Sequence, residues 1–324
     1  MLLQGQTLGK YQIVAPLGSG GFGAVYLARD TWIDKHVALK VPHRQNLNFS
    51  ELLHEPRLLA TLDHPNIVSI TTAEKQENIF FIVMEYVEGE TLETVIAGGA
   101  LDMQQTLDLS SQACSAIRHA HDHGVIHRDL RPPNMLLSRA GVLKIADFGV
   151  SRFLELAARG TTVIGSPPYM APEQFEGKAV FASDIYSLGV TMYQMLTGVL
   201  PYESPTPSDL ERLMREDLVQ PPRHRNPSIP VALNDIVMKA MAPDLANRYP
   251  HAQDLLDELL AASGTADSPA VAAPAQPVAQ QAAQPVRDTP QVASRAPATS
   301  PFCWHCHKPL HARAGRCPFC GEAQ

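Results

Sequence analysis

The sequence predicts an α+β fold of two lobes, a small β-rich N-lobe and a larger helical C-lobe, followed by a flexible linker and a small cysteine-rich module. Strand-like segments such as VYLARD, HVALKV and IFFIVMEY dominate residues 1 to about 86, around one helical stretch at about 50–62. Helical periods dominate from about 87 to 262, as in residues 106–124 and 182–198. A strand-rich part followed by a helix-rich part is typical of segregated α+β domains.

Composition limits the functional classes. The chain has 324 residues, 45% of them hydrophobic, which is enough for a sizeable core. Its formal net charge of −7 disfavours a protein that coats nucleic acid or membranes through basic charge. The sequence has no uninterrupted apolar run of about 18 residues and opens without a secretion signal. We therefore expect a cytoplasmic protein with no membrane span.

The first functional element is a glycine-rich loop, LGSGGFGAV, in which Gly18, Gly20 and Gly23 follow the spacing G-x-G-x-x-G. A dinucleotide site would require a helix after this loop, but strand-like residues follow here. A glycine loop between two strands can instead fold over phosphates, because glycine lets the backbone approach closely. The next strand, VALK, carries Lys40, which is well placed to bind phosphates.

A lysine of this kind needs an acidic partner. Glu55, on the predicted small-lobe helix, is one candidate, and Glu51 is its rival. Pro56 directly follows Glu55, so the helix either begins near Glu55 or is kinked there.

The second functional element is a set of polar residues in HRDLRPPN and DFG. Asp147 and Asn134 offer the oxygen donors that Mg²⁺ prefers. Asp129 can accept a proton from an attacking hydroxyl group, and Arg131 can offset negative charge on a phosphoryl group. Phosphoryl transfer depends mainly on positioning and charge stabilisation, so these residue types fit that reaction.

In their order along the chain, these motifs resemble the eukaryotic-type protein kinases, and more narrowly the bacterial Hanks-type Ser/Thr protein kinases. The resemblance covers about residues 11–260 and also includes HPNIV, MEYVEG, GSPPYMAPE and SDIYSLG. It implies a kinase domain at 1–262, with an N-lobe at about 1–86 and a C-lobe at about 87–262. It also implies ATP with Mg²⁺ (or Mn²⁺), and protein substrates with Ser or Thr acceptors.

The resemblance assigns residues to the nucleotide site. Gly18, Gly20 and Gly23 would cover the phosphates, and Lys40, paired with Glu55, would contact the α- and β-phosphates. Met84 would be the gatekeeper. The other expected contacts to the adenine are the backbone of Glu85 and Val87 and the side chains of Leu17, Val25, Ala38 and Leu136.

The resemblance also assigns catalytic and structural residues. Asp129 would be the catalytic base, Arg131 the γ-phosphate contact, and Asn134 and Asp147 the magnesium ligands. The family further implies a buried Glu173–Arg248 ion pair and an Asp184 that anchors the catalytic loop through backbone hydrogen bonds. The residues expected to stack as a spine between the lobes are Leu59, Ile70, His127 and Phe148.

Two positions bear on specificity. Arg131 stands where the family usually has Lys, and its forked guanidinium keeps the charge but changes the geometry. Ser166 replaces the usual Thr in a docking loop that otherwise resembles the Ser/Thr type. Because that loop shapes the acceptor site, we favour Ser/Thr specificity.

The segment between DFG and APE suggests regulation. A phosphate on Thr161 or Thr162 would gain charge-assisted hydrogen bonds to arginines such as Arg128 and Arg152. We therefore expect autophosphorylation of Thr161 or Thr162.

The C-terminal 62 positions differ from the rest. Ala, Pro and Gln make up most of residues 263–300, so we expect a disordered linker there. Residues 301–324 contain two Cys-x-x-Cys pairs, Cys303 with Cys306 and Cys317 with Cys320. Four thiolates suit a structural Zn²⁺ site of zinc-ribbon type, and disulfides are the alternative. Cys114, on an apolar helix, is expected to be a buried small hydrophobic residue.

Two further functions remain open at this point. One is a catalytically weak pseudokinase scaffold whose zinc ribbon binds a partner, favoured only by Pro56 and Arg131. The other is a regulator that binds nucleic acid weakly through the zinc ribbon, whose net charge is +2 (Lys308, Arg313 and Arg316 against Glu322).

Overall fold

The structure is a computed structural model that describes residues 2–20, 23–43, 45, 59–76, 78–148, 166–202, 207–215 and 218–266. The chain divides into two compact units, residues 1–271 and 272–324. The second unit lies outside the described residues, and with it the predicted zinc ligands.

The N-terminal part is an antiparallel sheet of six strands in the order β1-β2-β3-β4-β6-β5. The strands are β1 Thr7–Leu8, β2 Tyr11–Gly20, β3 Gly23–Asp30, β4 Lys35–Pro42, β5 Ile70–Gln76 and β6 Ile79–Glu85. Successive side chains of a strand point to opposite faces of the sheet. Val37 and Leu39 of β4 therefore join one apolar cluster, while Ala38 joins another on the opposite face.

A second sheet of three short strands follows, with β8 in its centre. Its strands are β7 Gly89–Thr91, β8 Met135–Ser138 and β9 Leu143–Ile145. A single parallel bridge between Ile67 and Ile145 connects the segment before β5 to this sheet. The second sheet thus supports the loops on either side of β8 and β9, which carry Asn134 and Asp147.

The other regular elements of the described chain are helices. The helices are α1 Leu92–Ala97, α2 Met103–Asp122, α3 Pro172–Phe175, α4 Phe181–Thr197, α5 Pro207–Met214, α6 Pro222–Arg225, α7 Val231–Ala240 and α8 Ala252–Ala266. Short 3-10 turns span Pro132–Asn134 and Pro167–Tyr169. The α4 helix is buried along almost its whole length, because α2 and α7 pack against it.

Local sequence explains where α2 begins and where α4 ends. Asp102 caps α2, since its carboxylate accepts the Gln105 N–H at 2.8 Å. The α4 helix ends at Gly198, whose φ of 76° is left-handed and suits glycine. The helix thus coincides with the helical stretch predicted at 182–198.

The expected two-lobed α+β architecture, a β-rich N-lobe followed by a helical C-lobe, is confirmed. Cys114 is buried and free, as expected. The last helix continues to Ala266, three residues beyond Ser263, where the linker was expected to begin. The predicted helix at 50–62 lies mostly outside the described residues. No helix in the described ranges is long and apolar enough to cross a membrane.

Candidate active site

The glycine loop is the turn between β2 and β3, as predicted. Gly18 pairs with Val25 and Gly20 with Gly23 in the antiparallel register. A Cβ atom on Gly23 would lie 2.4 Å from the Val41 carbonyl oxygen, so the sheet itself requires glycine there. A Cβ atom on Gly18 or Gly20 would meet no described atom within 4 Å. Those two glycines therefore leave open space beside the backbone, the space a phosphate group would need.

The glycine loop is also tied to β4. His43, just after β4, places Nε2 2.9 Å from the Gly20 carbonyl oxygen, so the imidazole donates a hydrogen bond to the loop. Sequence reasoning missed this contact, since a lone exposed histidine carries no local signal for it.

Sheet register gathers the expected adenine contacts on one face. Val25 pairs with Lys40, Lys40 with Ile82, and Ala38 with Met84. Because directly paired residues point to the same face of a sheet, these side chains line a common surface. Val25, Ala38 and Met84 belong to one apolar cluster there.

Glu85, the last residue of β6, is one of the expected adenine contacts. The Glu85 N–H donates to the Ser69 carbonyl at 2.9 Å, and the Glu85 carboxylate lies 3.0 Å from Lys144 Nζ. The Glu85 N–H and carboxylate are thus engaged, and adenine binding by the backbone of Glu85 and Val87 stays a prediction. Leu17, the remaining expected contact, is 48% exposed.

Lys40 and Asp147 form an ion pair across the cleft, with 2.8 Å between Nζ and Oδ1. Burial alone would raise the pKa of Asp147, but the Lys40 ammonium outweighs it and holds that pKa below its ordinary value. Glu55, the expected partner of Lys40, lies outside the described residues. Among the described residues, Lys40 pairs with Asp147, which was expected to bind the metal, and the Lys40–Glu55 pair stays a prediction.

The residues of HRDLRPPN converge on Asp129. Arg131 Nε lies 3.3 Å from Asp129 Oδ2, and Asn134 Nδ2 donates to the Asp129 carbonyl at 2.8 Å and to Oδ2 at 3.2 Å. The Asp129 carboxylate is therefore oriented by two side chains of its own loop. Since Nδ2 of Asn134 faces Asp129, Oδ1 of Asn134 is the atom that would bind a cation.

Asp184 anchors this loop, as the family resemblance predicts. Its carboxylate accepts the backbone N–H groups of His127 and Arg128, each at 2.8 Å. His121 on α2 adds a third contact, with Nε2 2.8 Å from Asp184 Oδ2. Burial alone would raise the pKa of Asp184, but the hydrogen bond and charge of His121 outweigh it, so that pKa lies below its ordinary value. His121 is a residue that sequence reasoning missed.

Two non-glycine residues of the site have left-handed backbones, Arg128 with φ of 70° and Asp147 with φ of 64°. Such conformations persist only where surrounding contacts hold them, and they occur often at active sites. The Asp184 carboxylate holds Arg128 in this way, and Lys40 holds the side chain of Asp147.

The expected spine residues meet. The rings of His127 and Phe148 contact edge-on, with centroids 4.6 Å apart, and His127 Nε2 donates to the Ala146 carbonyl at 2.9 Å. Leu59, Ile70 and Phe148 line one small cavity together with Lys40 and Asp147.

The predicted Glu173–Arg248 pair is confirmed. Arg248 Nη1 and Nη2 lie 2.7 and 3.2 Å from the two Glu173 oxygens, and the Arg248 side chain has no exposed surface. Its remaining donors bind the carbonyls of Ala182, Ala242 and Pro243. The pair is structural, since it joins α3 to the segment before α8.

The donor set fits a magnesium nucleotide. A carboxylate with a lowered pKa, an amide oxygen and a lysine ammonium converge beside an open glycine loop, and these groups suit Mg²⁺ and phosphate oxygens. Within the described ranges, no group of three or more His, Cys, Asp or Glu side chains could hold a metal by itself.

Several expected residues fall outside the described ranges and stay predictions. They are Glu51, Glu55, Pro56, Arg152, Thr161, Thr162, Cys303, Cys306, Cys317 and Cys320.

Comparisons with known proteins agree with this geometry. The protein kinase domain family matches residues 11–263. Serine/threonine-protein kinase PrkC of Bacillus subtilis is 38% identical over 265 residues, covering 79% of this chain and 41% of that protein. Serine/threonine-protein kinase PknB of Mycobacterium tuberculosis is 34% identical over 266 residues, covering 78% of this chain and 42% of that protein. The chain therefore spans about two fifths of the length of these curated relatives.

A solved structure shares the fold. The crystal structure of the Mycobacterium tuberculosis PknI kinase domain aligns with a TM-score of 0.63 at 24% identity, covering 81% of this chain and 99% of that one.

Proposed function

The chain belongs to the protein kinase domain family, and from that membership we propose that it transfers the γ-phosphate of ATP to Ser and Thr hydroxyls of proteins. One observation carries the proposal, the 2.8 Å contact between Lys40 and Asp147. It joins the glycine-loop sheet to the loop after β9, next to the cluster around Asp129.

In the proposed reaction, Asp129 accepts the proton of the acceptor hydroxyl. The hydroxyl oxygen forms a bond to the γ-phosphorus, and the bond from that phosphorus to the β–γ bridging oxygen breaks, which leaves ADP. Arg131, beside Asp129, offsets negative charge on the phosphoryl group, and Lys40 orients the phosphates. Mg²⁺, held by Asp147 and Asn134, would supply further positive charge to the phosphate oxygens.

The preference for Ser and Thr rests on the loop at 166–170. Its 3-10 turn is fixed by Tyr169, whose OH donates to Gln194 Oε1 at 2.7 Å and whose carbonyl accepts the Ser187 hydroxyl at 2.8 Å. A rigid loop beside Asp129 would set the depth of the acceptor site. The relatives PrkC and PknB, which are named serine/threonine-protein kinases, support the same choice.

The test is transfer of label from γ-labelled ATP with Mg²⁺ to a generic Ser/Thr acceptor and to a generic Tyr acceptor. We expect label on Ser or Thr only, and a loss of roughly 1000-fold or more in the Asp129→Asn variant, because the variant cannot accept the proton. Asp235→Asn, an exposed carboxylate of α7, is the matched control and should keep full activity. A wild-type chain that binds ATP–Mg²⁺ but never transfers label would favour the pseudokinase scaffold, which the presence of Lys40, Asp129 and Asp147 argues against.

We further propose that the kinase autophosphorylates Thr161 or Thr162. Intact mass and peptide mapping after incubation with ATP–Mg²⁺ would locate the phosphate. Full activity of the Thr161→Ala/Thr162→Ala double variant would argue against a regulatory role.

The cysteine-rich segment at 301–324 is proposed to be a zinc-held module that docks a protein partner. Its four cysteines in two Cys-x-x-Cys pairs support this proposal. A cytoplasmic location stays a prediction.

A further inference from the structure

The backbone of Arg128 is held from two sides. Its N–H donates to Asp184 Oδ1 at 2.8 Å, and its carbonyl accepts from Gln174 Nε2 at 2.9 Å. Arg128 directly precedes Asp129 and has the left-handed φ of 70°. A non-glycine residue in this conformation needs contacts that maintain it. The first contact is made by Asp184 on α4, and the second is made by Gln174 on α3.

Gln174 lies on α3, which begins just after the loop at 166–170. Its Oε1 accepts the Ala171 N–H at 3.0 Å while Nε2 donates to the Arg128 carbonyl. The two partners fix the amide orientation, because the reverse orientation would place Oε1 against a carbonyl oxygen. One half-buried side chain therefore joins the end of the proposed acceptor-docking loop to the residue before the proposed base.

We propose that Gln174 is a positioning residue for phosphoryl transfer, which keeps the acceptor-docking loop and the catalytic loop at a fixed separation through the Arg128 carbonyl. The proposal rests on the proposed kinase function. Phosphoryl transfer is sensitive to the placement of the attacking hydroxyl relative to the base. A shift of α3 would move the Gln174 amide away from the Arg128 carbonyl. The backbone next to Asp129 would then lose a contact that fixes the position of this carboxylate.

A purely structural role for Gln174 is the competing explanation, because its Oε1 also caps α3. Two variants separate the roles. Gln174→Glu keeps an oxygen for the Ala171 N–H but replaces the donor with a carboxylate that repels the Arg128 carbonyl. Gln174→Met removes both hydrogen bonds and cannot titrate.

The charged groups around position 174 influence the pKa of the carboxyl that Gln174→Glu introduces, so the activity of this variant should depend on pH. Glu173, its neighbour on α3, is bound to Arg248, and Asp184 lies on the other side of the Arg128 peptide. The half-buried position and these two carboxylates favour the protonated form of the introduced carboxyl, whereas the guanidiniums of Arg128 and Arg248 favour its charged form. Once protonated, it can donate to the Arg128 carbonyl as the native amide does.

The experiment measures kcat and the KM values for ATP and for a peptide acceptor, per folded molecule, from about pH 5.5 to 8.5. At pH 8 we expect Gln174→Glu to lose about tenfold in kcat with KM for ATP within about twofold, the rate effect of one lost hydrogen bond. As the pH falls, the ratio of its kcat to that of the wild type should recover to within about threefold, while the ratio for Gln174→Met stays flat.

Three results would overturn the proposal. The first is an unchanged kcat of Gln174→Glu at pH 8. The second is an effect of Gln174→Glu on KM for ATP alone. The third is an equal, pH-independent loss of kcat in both variants that follows their loss of stability. In each of them the wild-type chain is still an active kinase. A wild type that transfers no phosphate overturns the proposed function first, and the role of Gln174 with it.

Discussion

Lys40 Nζ lies 2.8 Å from Asp147 Oδ1, although 107 positions of chain separate the two residues. Lys40 is on the central strand β4, and Asp147 follows β9 of the second sheet. The Lys40 side chain is only 8% exposed, so the contact lies inside the cleft between the two sheets. This pair brings the cation proposed to bind phosphate to the carboxylate proposed to bind the metal.

Replacing Lys40 by Met should reduce phosphate transfer by roughly 100-fold or more, because an oriented charge on the transferring group is lost. The Asp147 carboxylate, left without its cation, should titrate at a higher pKa. The measurement is kcat/KM for ATP together with folding checked by circular dichroism. Lys10→Met is the matched control, since Lys10 also forms a 2.8 Å ion pair, with Asp30, and its ammonium lies over the rings of Tyr11 and Trp32. Equal losses in both variants would count against a specific role for Lys40.

The three loop glycines should differ in what they contribute. Gly23→Ala should lower the free energy of unfolding by about 1–3 kcal/mol, because its Cβ would overlap the Val41 carbonyl oxygen. Gly18→Ala and Gly20→Ala should leave stability almost unchanged and instead raise the Kd for ATP–Mg²⁺. Urea unfolding and nucleotide titration measure the two effects. If Gly18→Ala and Gly20→Ala destabilised the fold and bound ATP normally, the phosphate-covering role would be wrong.

Arg248→Met should destabilise the C-lobe by about 3–5 kcal/mol, because Glu173 would be left without its buried partner. The carbonyls of Ala182, Ala242 and Pro243 would also lose their donor. Adding Glu173→Gln should restore part of the loss, since it removes the unpaired charge. Chemical denaturation of the single and double variants gives the values. Lys178→Met, which removes the exposed pair with Glu176, should have no measurable effect.

Acid should weaken the anchor at Asp184. Its pKa in the folded chain lies below the unfolded value of about 3.9, so the folded state binds the proton less tightly. The stabilisation is therefore present above about pH 4 and is lost as the pH falls through the folded-state pKa. The free energy of unfolding should fall with pH below about 4, and less steeply in Asp184→Asn than in the wild type. Equal slopes in the two proteins would show that Asp184 is not the responsible group.

The cysteine-rich segment predicts metal in the purified chain. We expect about one Zn²⁺ per molecule by atomic absorption, bound by Cys303, Cys306, Cys317 and Cys320. A Cys303→Ser/Cys306→Ser variant should lose the metal, because two thiolates do not complete a tetrahedral site. Cys114→Ala, which changes the buried cysteine of α2, should keep it. Full-length protein with no zinc, and with disulfides by mass spectrometry, would support the alternative.

Much of the site could be expected from local sequence. The glycine loop is recognisable because glycine spacing and flanking strands are encoded within a dozen residues, and Asp129, Asn134 and Asp147 lie in short motifs whose chemistry limits their roles. The Glu173–Arg248 pair and the Asp184 anchor were expected from the family resemblance, and both contacts are observed.

Contacts between distant segments required the fold. No spacing in the sequence shows that Lys40 meets Asp147, that His121 supports Asp184, or that Gln174 reaches Arg128. Each of these contacts spans 46 positions of chain or more. The first depends on how the two sheets face each other, and the other two depend on how α2, α3 and α4 pack around the loop that carries Asp129. The chemical groups of the chain and the lobes that hold them follow from local sequence, because strand and helix periods and motif spacing involve only nearby residues. The tertiary structure alone decided which of those groups touch, because burial and packing select partners regardless of their separation along the chain.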